Sequence, residues 1–213
     1  SVPLPNYRSG FSLGWSSYLQ LRKNSNDGGA RFADFDGDGL TDILWGRNGK
    51  IYINNGTSTW VHDPNWDFNV GFVDGKYNGT GANVFDINGD GLVDIVKAYR
   101  FKRNNKEKWE TAVLINTGSG WEDRTSKWTF PIGFRDSYAF PGGVRLVDVN
   151  VDGLVDIVAS FEVMGNDHFQ PGKKVFLNSG TSQRRRDIVR GIIFSKKWSR
   201  GNATHPRKRT NIV

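Results

Sequence analysis

Asp34-Phe35-Asp36-Gly37-Asp38-Gly39-Leu40-Thr41-Asp42 recurs as Asp86-Ile87-Asn88-Gly89-Asp90-Gly91-Leu92-Val93-Asp94, and again as Asp148-Val149-Asn150-Val151-Asp152-Gly153-Leu154-Val155-Asp156. Oxygen side chains stand at loop positions 1, 3, 5 and 9 of each copy, in the alternation that lets a curled loop turn them toward one hard cation. Glycine at position 6 permits the sharp turn that would bring the position-7 carbonyl, on Leu40, Leu92 or Leu154, to the same centre. The pattern opens like an EF-hand, but that loop needs a bidentate Glu at position 12 and flanking helices. Position 12 here is Trp45, Lys97 or Ala159, and the following residues are β-branched and strand-like. An EF-hand is excluded.

Working outward, the surroundings repeat as well. Before each loop stand a Gly and a short apolar strand: Gly29 to Ala33, Gly81 to Phe85, Gly143 to Val147. After it come a second strand (Thr41 to Trp45, Val93 to Lys97, Val155 to Ala159) and a third that ends in Asn-x-Gly. Those turns begin at Asn54, Asn116 and Asn178, a spacing of 62 residues each time. Trp60, Trp66 and Gly71-Phe72 are matched by Trp121, Trp128 and Gly133-Phe134, while Trp15 falls where a second Trp of a preceding unit would stand. Each unit therefore reads as about four short strands punctuated by Gly, Asn and Asp, with no sustained helical period. Radial repetition of small sheets is the architecture that such a period predicts: an all-β chain of about three four-stranded antiparallel β-propeller blades, with little helix. Closed propellers use four to eight blades, so three units predict an incomplete ring.

The expected organisation is propeller-type repeats over 1–182, in units of about 15–66, 67–128 and 129–182, followed by a basic segment over 183–213. Units two and three carry extra residues between strands two and three, at 99–109 and 161–172, expected to form surface hairpins or loops.

The loops resemble the FG-GAP/VCBS repeats, the Ca²⁺-loop blades of integrin-type propellers. The resemblance spans residues from about 15 to 180. More narrowly, VRLVDVNVDGLVDIV at 144–158, VFLNSG at 175–180 and LINTGSGW at 114–121 resemble propeller repeats of Rhs-type and ABC-type toxin proteins. The Phe-Gly and Gly-Ala-Pro signatures that name the family do not stand out here. The resemblance implies Ca²⁺ held by Asp34, Asp36, Asp38, Leu40 (carbonyl) and Asp42; by Asp86, Asn88, Asp90, Leu92 and Asp94; and by Asp148, Asn150, Asp152, Leu154 and Asp156. Val151 replaces the Gly of position 4, and a β-branched residue there is strained if the position requires positive φ. The rival reading is that these side chains only cap backbone N–H groups in turns. Asp at position 9 of all three loops, at an apolar strand start, speaks against it, since crowded carboxylates repel without a cation.

Cysteine is absent, which excludes disulfides and thiolate chemistry. No apolar stretch approaches the roughly 18–20 residues of a membrane helix. The three histidines, His62, His168 and His205, do not pair at ligand spacing, and Gly14-Trp15-Ser16-Ser17-Tyr18 fails the nucleophile-elbow pattern at its last position. No catalytic constellation stands out, and a non-enzymatic chain is expected. Trp60, Trp66, Trp121 and Trp128 recur with the repeat and are expected in blade-to-blade packing; Trp109 and Trp198 do not recur and are freer to serve a ligand. Asn55, Asn78 and Asn202 open glycosylation-type triplets that matter only in a secreted eukaryotic protein.

The net charge of +7 is unevenly placed: residues 183–213 carry ten Lys/Arg and one acid, leaving the rest at −2. Arg184, Arg185, Arg186, Lys196, Lys197, Arg207, Lys208 and Arg209 are the candidate polyanion contacts, weighed against a solvated tail. The favoured function is an extracellular or cell-surface interaction or shell module stiffened by Ca²⁺, partnered by another protein or by the rest of a larger propeller. A glycan-binding propeller is the alternative; nucleic acid is not favoured as a partner.

Overall fold

The computed structural model describes residues 22–23, 26–57, 59–76, 78–104, 106–136, 143–165 and 168–180. Their strands are β1 (Arg22–Lys23), β2 (Asn26–Asp27), β3 (Ala30–Ala33), β4 (Asp42–Trp45), β5 (Lys50–Asn54), β6 (Trp60–His62), β7 (Ala82–Phe85), β8 (Asp94–Arg103), β9 (Lys106–Asn116), β10 (Trp121–Asp123), β11 (Arg135–Asp136), β12 (Val144–Val147), β13 (Asp156–Gly165) and β14 (His168–Phe176). Two single 3₁₀ turns, Pro64–Trp66 and Thr125–Lys127, are the helical elements among these residues.

Three sheets repeat one up-and-down meander. The first runs β3-β4-β5-β6, the second β7-β8-β9-β10, and the third β12-β13-β14, with every one of these pairings antiparallel. The expected all-β architecture of blade-like sheets is what forms, and the described residues close no ring. The third sheet shows three strands among the described residues, and residues 181–213, with the whole basic cluster, lie outside them. Trp15 also falls outside. The hairpin β1-β2 precedes the first sheet. β11 lies within the range expected for unit three, yet it pairs in parallel with β8 of the second sheet.

The two extra stretches are continuations of strands rather than separate elements. β8 and β9 stay in register from Ile95↔Leu114 out to Arg103↔Lys106, and β13 and β14 from Ile157↔Phe176 to Gly165↔His168. At the base of the first extension Lys97 pairs with Glu110 at 2.9 Å, and along it the Arg100 guanidinium lies 5.9 Å from the centre of the Trp109 ring. Glu110 and Trp109 are exposed, so such contacts add little stability singly.

The core lies between successive sheets. Phe35, Leu44, Ile51 and Trp66 of the first unit are buried together with Val70, Phe72, Ala82 and Ile95 of the second. A second cluster joins Ile87, Val96, Ala98, Val113 and Phe130, with Ile157 of the third sheet packed against it. Of the recurring tryptophans, Trp66 and Trp121 pack in the first interface and Trp128 against the second cluster, whereas Trp60 donates its Nε1 to the Thr41 carbonyl of its own unit at 3.0 Å. Trp66 meets Trp121 edge-on, with ring centres 5.4 Å apart, and the Trp121 Nε1 donates to the Trp66 carbonyl at 3.0 Å. Such an edge-to-face pair adds about 1 kcal/mol beyond its area burial. Central strands carry consecutive apolar residues, as in Ile43-Leu44 and Ile95-Val96, and all four of these side chains are buried.

Candidate metal loops and the links between blades

Each acidic loop joins the first strand of its sheet to the second, and all three have the same internal bonding. The position-1 carboxylate clasps two backbone N–H groups. Asp34 accepts from Gly37 at 2.7 Å and Gly39 at 2.8 Å; Asp86 does so from Gly89 and Gly91, and Asp148 from Val151 and Gly153. Position 3 accepts from the N–H of position 5, and position 5 from that of the Leu at position 7. In loops two and three the position-3 amide also donates to the next acid, Asn88 to Asp90 at 2.8 Å and Asn150 to Asp152 at 2.7 Å.

Position 9 is the buried member. Asp42, Asp94 and Asp156 are each 0% exposed. One oxygen of each accepts from the position-2 N–H: Phe35 at 2.8 Å, Ile87 at 2.9 Å, Val149 at 3.1 Å. The other accepts from the N–H of the Asn in the Asn-x-Gly turn: Asn54 at 2.8 Å, Asn116 at 2.8 Å, Asn178 at 2.7 Å. A carboxylate placed so ties the loop to the end of the third strand, which is a structural reason for Asp there without any cation. These backbone bonds give position 9 a structural role beside the one that the metal reading assigns to it. Burial still penalises the charge. It raises the Asp42 carboxyl above its ordinary value and pushes Asp94 up to about 6, against the lowering effect of the two N–H donors. Asp36 is raised too, by burial and then by the Asp38 and Asp34 charges, whereas the half-buried Asp148 is lowered, chiefly by the Gly153 N–H.

The donor set suits a hard cation. Asp34, Asp36 and Asp42 offer oxygens that lie within 4.8 Å of one another; Asp38 is not part of that group. Ion pairs among the described residues join other side chains, such as Arg31 with Asp27 and Arg124 with Glu122. The residues of loop one thus fit a Ca²⁺ ion, all oxygen and net acidic. In loops two and three Asn at position 3 removes one carboxylate, and the Asn–Asp bond already satisfies part of the position-5 acid.

Sequence reading missed the role of the turn asparagines. Beyond capping its own turn glycine, Asn116 donates its Nδ2 to the carbonyl of Phe35, in the preceding sheet, at 2.7 Å, and to Val93 at 3.2 Å. Asn178 repeats the link, donating to the Ile87 carbonyl at 2.8 Å. The position-2 residue of one loop is thereby held on both sides of its peptide, its N–H by its own Asp and its carbonyl by the next blade's Asn. The constant spacing of Asn-x-Gly was the available signal, but it also spells an ordinary turn.

Position 7 is likewise a packing residue. The Leu92 side chain reaches Gly37 of the preceding loop, and Leu154 reaches Gly89; a Cβ at those glycines would lie 3.5 and 2.7 Å from the leucine methyls. Position 4 has positive φ throughout: 81° at Gly37, 81° at Gly89 and 62° at Val151. The strain expected of Val151 is present.

His62 contacts Asp67 at 2.7 Å on the surface. His205 and Trp198 lie outside the described residues. Asn55 and Asn78 act in local turns, with Thr57 and Asp74 respectively. Among the described residues no helix is long and apolar enough to cross a membrane.

A family model, the FG-GAP-like repeat, matches residues 34–96, from the first residue of loop one to β8 beyond loop two. No curated protein and no solved structure matches the chain.

Proposed function

We propose that this chain is a non-enzymatic interaction or shell module, secreted or at the cell surface, whose acidic loops take Ca²⁺ and so stiffen the blades. The FG-GAP-like match over two successive loops supports the repeat assignment. The observation that carries the metal reading is the gathering of Asp34, Asp36 and Asp42 within 4.8 Å, with Asp36 and Asp42 both raised by burial and neighbouring charge. Ca²⁺ would supply the positive charge that those carboxylates otherwise lack, so its work is structural rather than chemical. Asp34, Asp36 and Asp42 would hold it in loop one, with the corresponding side chains in the other two. The partner is another protein, or further blades of a larger propeller.

The test is calorimetric titration of the chelator-stripped chain with Ca²⁺, paired with thermal melts. Saturable binding that weakens in Asp36→Ala, together with a melting temperature that rises with Ca²⁺, is expected. Heats no larger than dilution and identical melts in Ca²⁺ and chelator would sink the metal reading.

A lectin-like role is the second reading. It rests on Trp109, 39% exposed on the long β8-β9 hairpin, with Arg100 and Glu107 against it. Glycan-array binding that disappears in Trp109→Ala would favour it over the first.

A further inference from the structure

Asn-Gly occurs at Asn48, Asn55, Asn78 and Asn88. Glycine after asparagine leaves the next peptide nitrogen unhindered, so that nitrogen can attack the side-chain amide. It gives its proton to hydroxide and bonds to the asparagine Cγ, and negative charge gathers on Oδ1 of the tetrahedral adduct. The Cγ–Nδ2 bond then breaks, the nitrogen takes up a proton, and ammonia leaves. Water opens the resulting cyclic imide at either carbonyl, giving aspartate or isoaspartate. Water replaces ammonia overall, and nothing is oxidised or reduced. The local sequence ranks the four sites nearly alike, whereas the structure separates them.

At Asn55 three donors converge on Oδ1, the atom that becomes negative: the Thr57 N–H at 3.0 Å, the Thr57 hydroxyl at 2.6 Å and the Thr59 hydroxyl at 3.2 Å. Donors already aimed at a developing oxyanion lower the barrier to forming it. The same Asx turn folds the side chain back along the main chain that follows it. The attacking nitrogen, on Gly56, donates only to the neutral Asn54 Oδ1 at 3.1 Å, and Asn55, Gly56 and Thr57 are exposed to hydroxide. The other sites are hindered. At Asn48 the next glycine is buried, its N–H held by the Trp45 carbonyl at 3.1 Å and its carbonyl by the Phe68 N–H at 2.9 Å. At Asn78 the amide donates to both oxygens of Asp74, at 2.9 and 3.2 Å, and that charge repels an anionic adduct. At Asn88 the Gly89 N–H is held by the Asp86 carboxylate at 2.7 Å, and the amide by Asp90.

We propose that Asn55 is a site of spontaneous modification, its Thr57–Thr59 turn driving conversion to aspartate and isoaspartate ahead of the other three. The reaction needs no cation and no partner. It belongs to the first unit alone, because the matching turn residues are Thr117 and Ser179. Isoaspartate carries the main chain through its Cβ and so lengthens the turn that begins at Asn54. The Asn54 N–H holds Asp42 at 2.8 Å, so the conversion loosens loop one from the end of β5.

The test is peptide mapping by mass spectrometry of the full chain, sampled during incubation at mildly alkaline pH. Conversion at Asn55 is expected to run about tenfold faster than at any of the other three, a fraction of what an oxyanion donor supplies in a water-excluded site. Thr57→Val removes the closest donor but keeps the backbone N–H. It should slow Asn55 severalfold and leave Asn48, Asn78 and Asn88 unchanged; those three also report the fold, since unfolding would speed them. In concentrated urea the four rates should converge, and chain converted at residue 55 should melt below fresh chain. The proposal is overturned if Asn55 reacts no faster than the others, if Thr57→Val leaves its rate intact, or if the same ranking persists in urea. Equal melting of converted and fresh chain would overturn the loosening of loop one.

Discussion

Replacing Asn116 with Ala should destabilise the chain far more than the same change at Asn54, although the two occupy one position of the repeat. Asn116 is 1% exposed, and its side chain makes three hydrogen bonds: to the Phe35 carbonyl at 2.7 Å, to the Val93 carbonyl at 3.2 Å, and from the Gly118 N–H at 2.8 Å. The Phe35 residue is itself fully buried, so its carbonyl has no route to water when the amide is removed. Stranding such a carbonyl costs about 2 kcal/mol, and the other two bonds add about 0.5–1 each, giving roughly 3–4 kcal/mol in all. At Asn54 the bonds to Thr41 and from Gly56 are solvent-exposed, and water replaces them at a cost of about 1 kcal/mol or less. Urea unfolding followed by tryptophan fluorescence reads both numbers, with the slope of the transition checked for constancy. The difference between the two variants, about 2–3 kcal/mol, isolates the cross-blade bond, since their effects on the turn are shared. If Asn116→Ala costs no more than Asn54→Ala, the asparagine is only a turn residue and the inter-blade link has no energetic meaning.

Val151→Gly should stabilise the folded chain by about 1 kcal/mol, because a β-branched residue at a φ of 62° is strained, less the entropy that glycine costs; Gly89→Val, which adds a clash with Leu154 to the same strain, should cost about 3 kcal/mol in urea unfolding. In chelator, the melting temperature should fall by roughly 5 °C as pH rises from 5 to 7.5. Asp94 binds its proton more tightly folded than unfolded, with a folded value of about 6. Its contribution is therefore complete at low pH and lost as pH passes through 6. Asp94→Asn should flatten that slope, and Ca²⁺ should oppose it by favouring the ionised form. Trp121→Phe removes the N–H that the Trp66 carbonyl accepts and part of an edge-on ring contact, and should cost about 2 kcal/mol by the same unfolding assay.

Much of the blade was legible because it depends on local rules. Alternation and turn residues place β3 to β5, β7 to β9 and β12 to β14 within the repeated strands, and Gly or a strained residue at position 4 follows from the loop's own curl. The missed elements are those whose meaning lies in a neighbour. β11 is two residues long and pairs with β8 rather than with the unit that contains it. Asn116 spells a turn in sequence, and its amide finds a partner 81 residues away. Position 9 reads in sequence as a metal ligand; what the sequence does not show is that its carboxylate also accepts from a pair of backbone donors, one 7 residues before it and one 22 residues after it in loop two.

The sequence by itself determined the number of acidic loops, their strand context and the chemistry of their donors, since alternation, glycine placement and carboxylate spacing act over a few residues. Only the tertiary structure decided what the loop side chains bond to. A carboxylate can bind a cation or a backbone N–H, and a leucine at position 7 can offer its carbonyl or its methyls. Which of these it does depends on whether another blade lies across from it. That same dependence buries Phe35 and Ile87 at position 2, where the next sheet packs on them, and leaves Val149 at the same position 43% exposed.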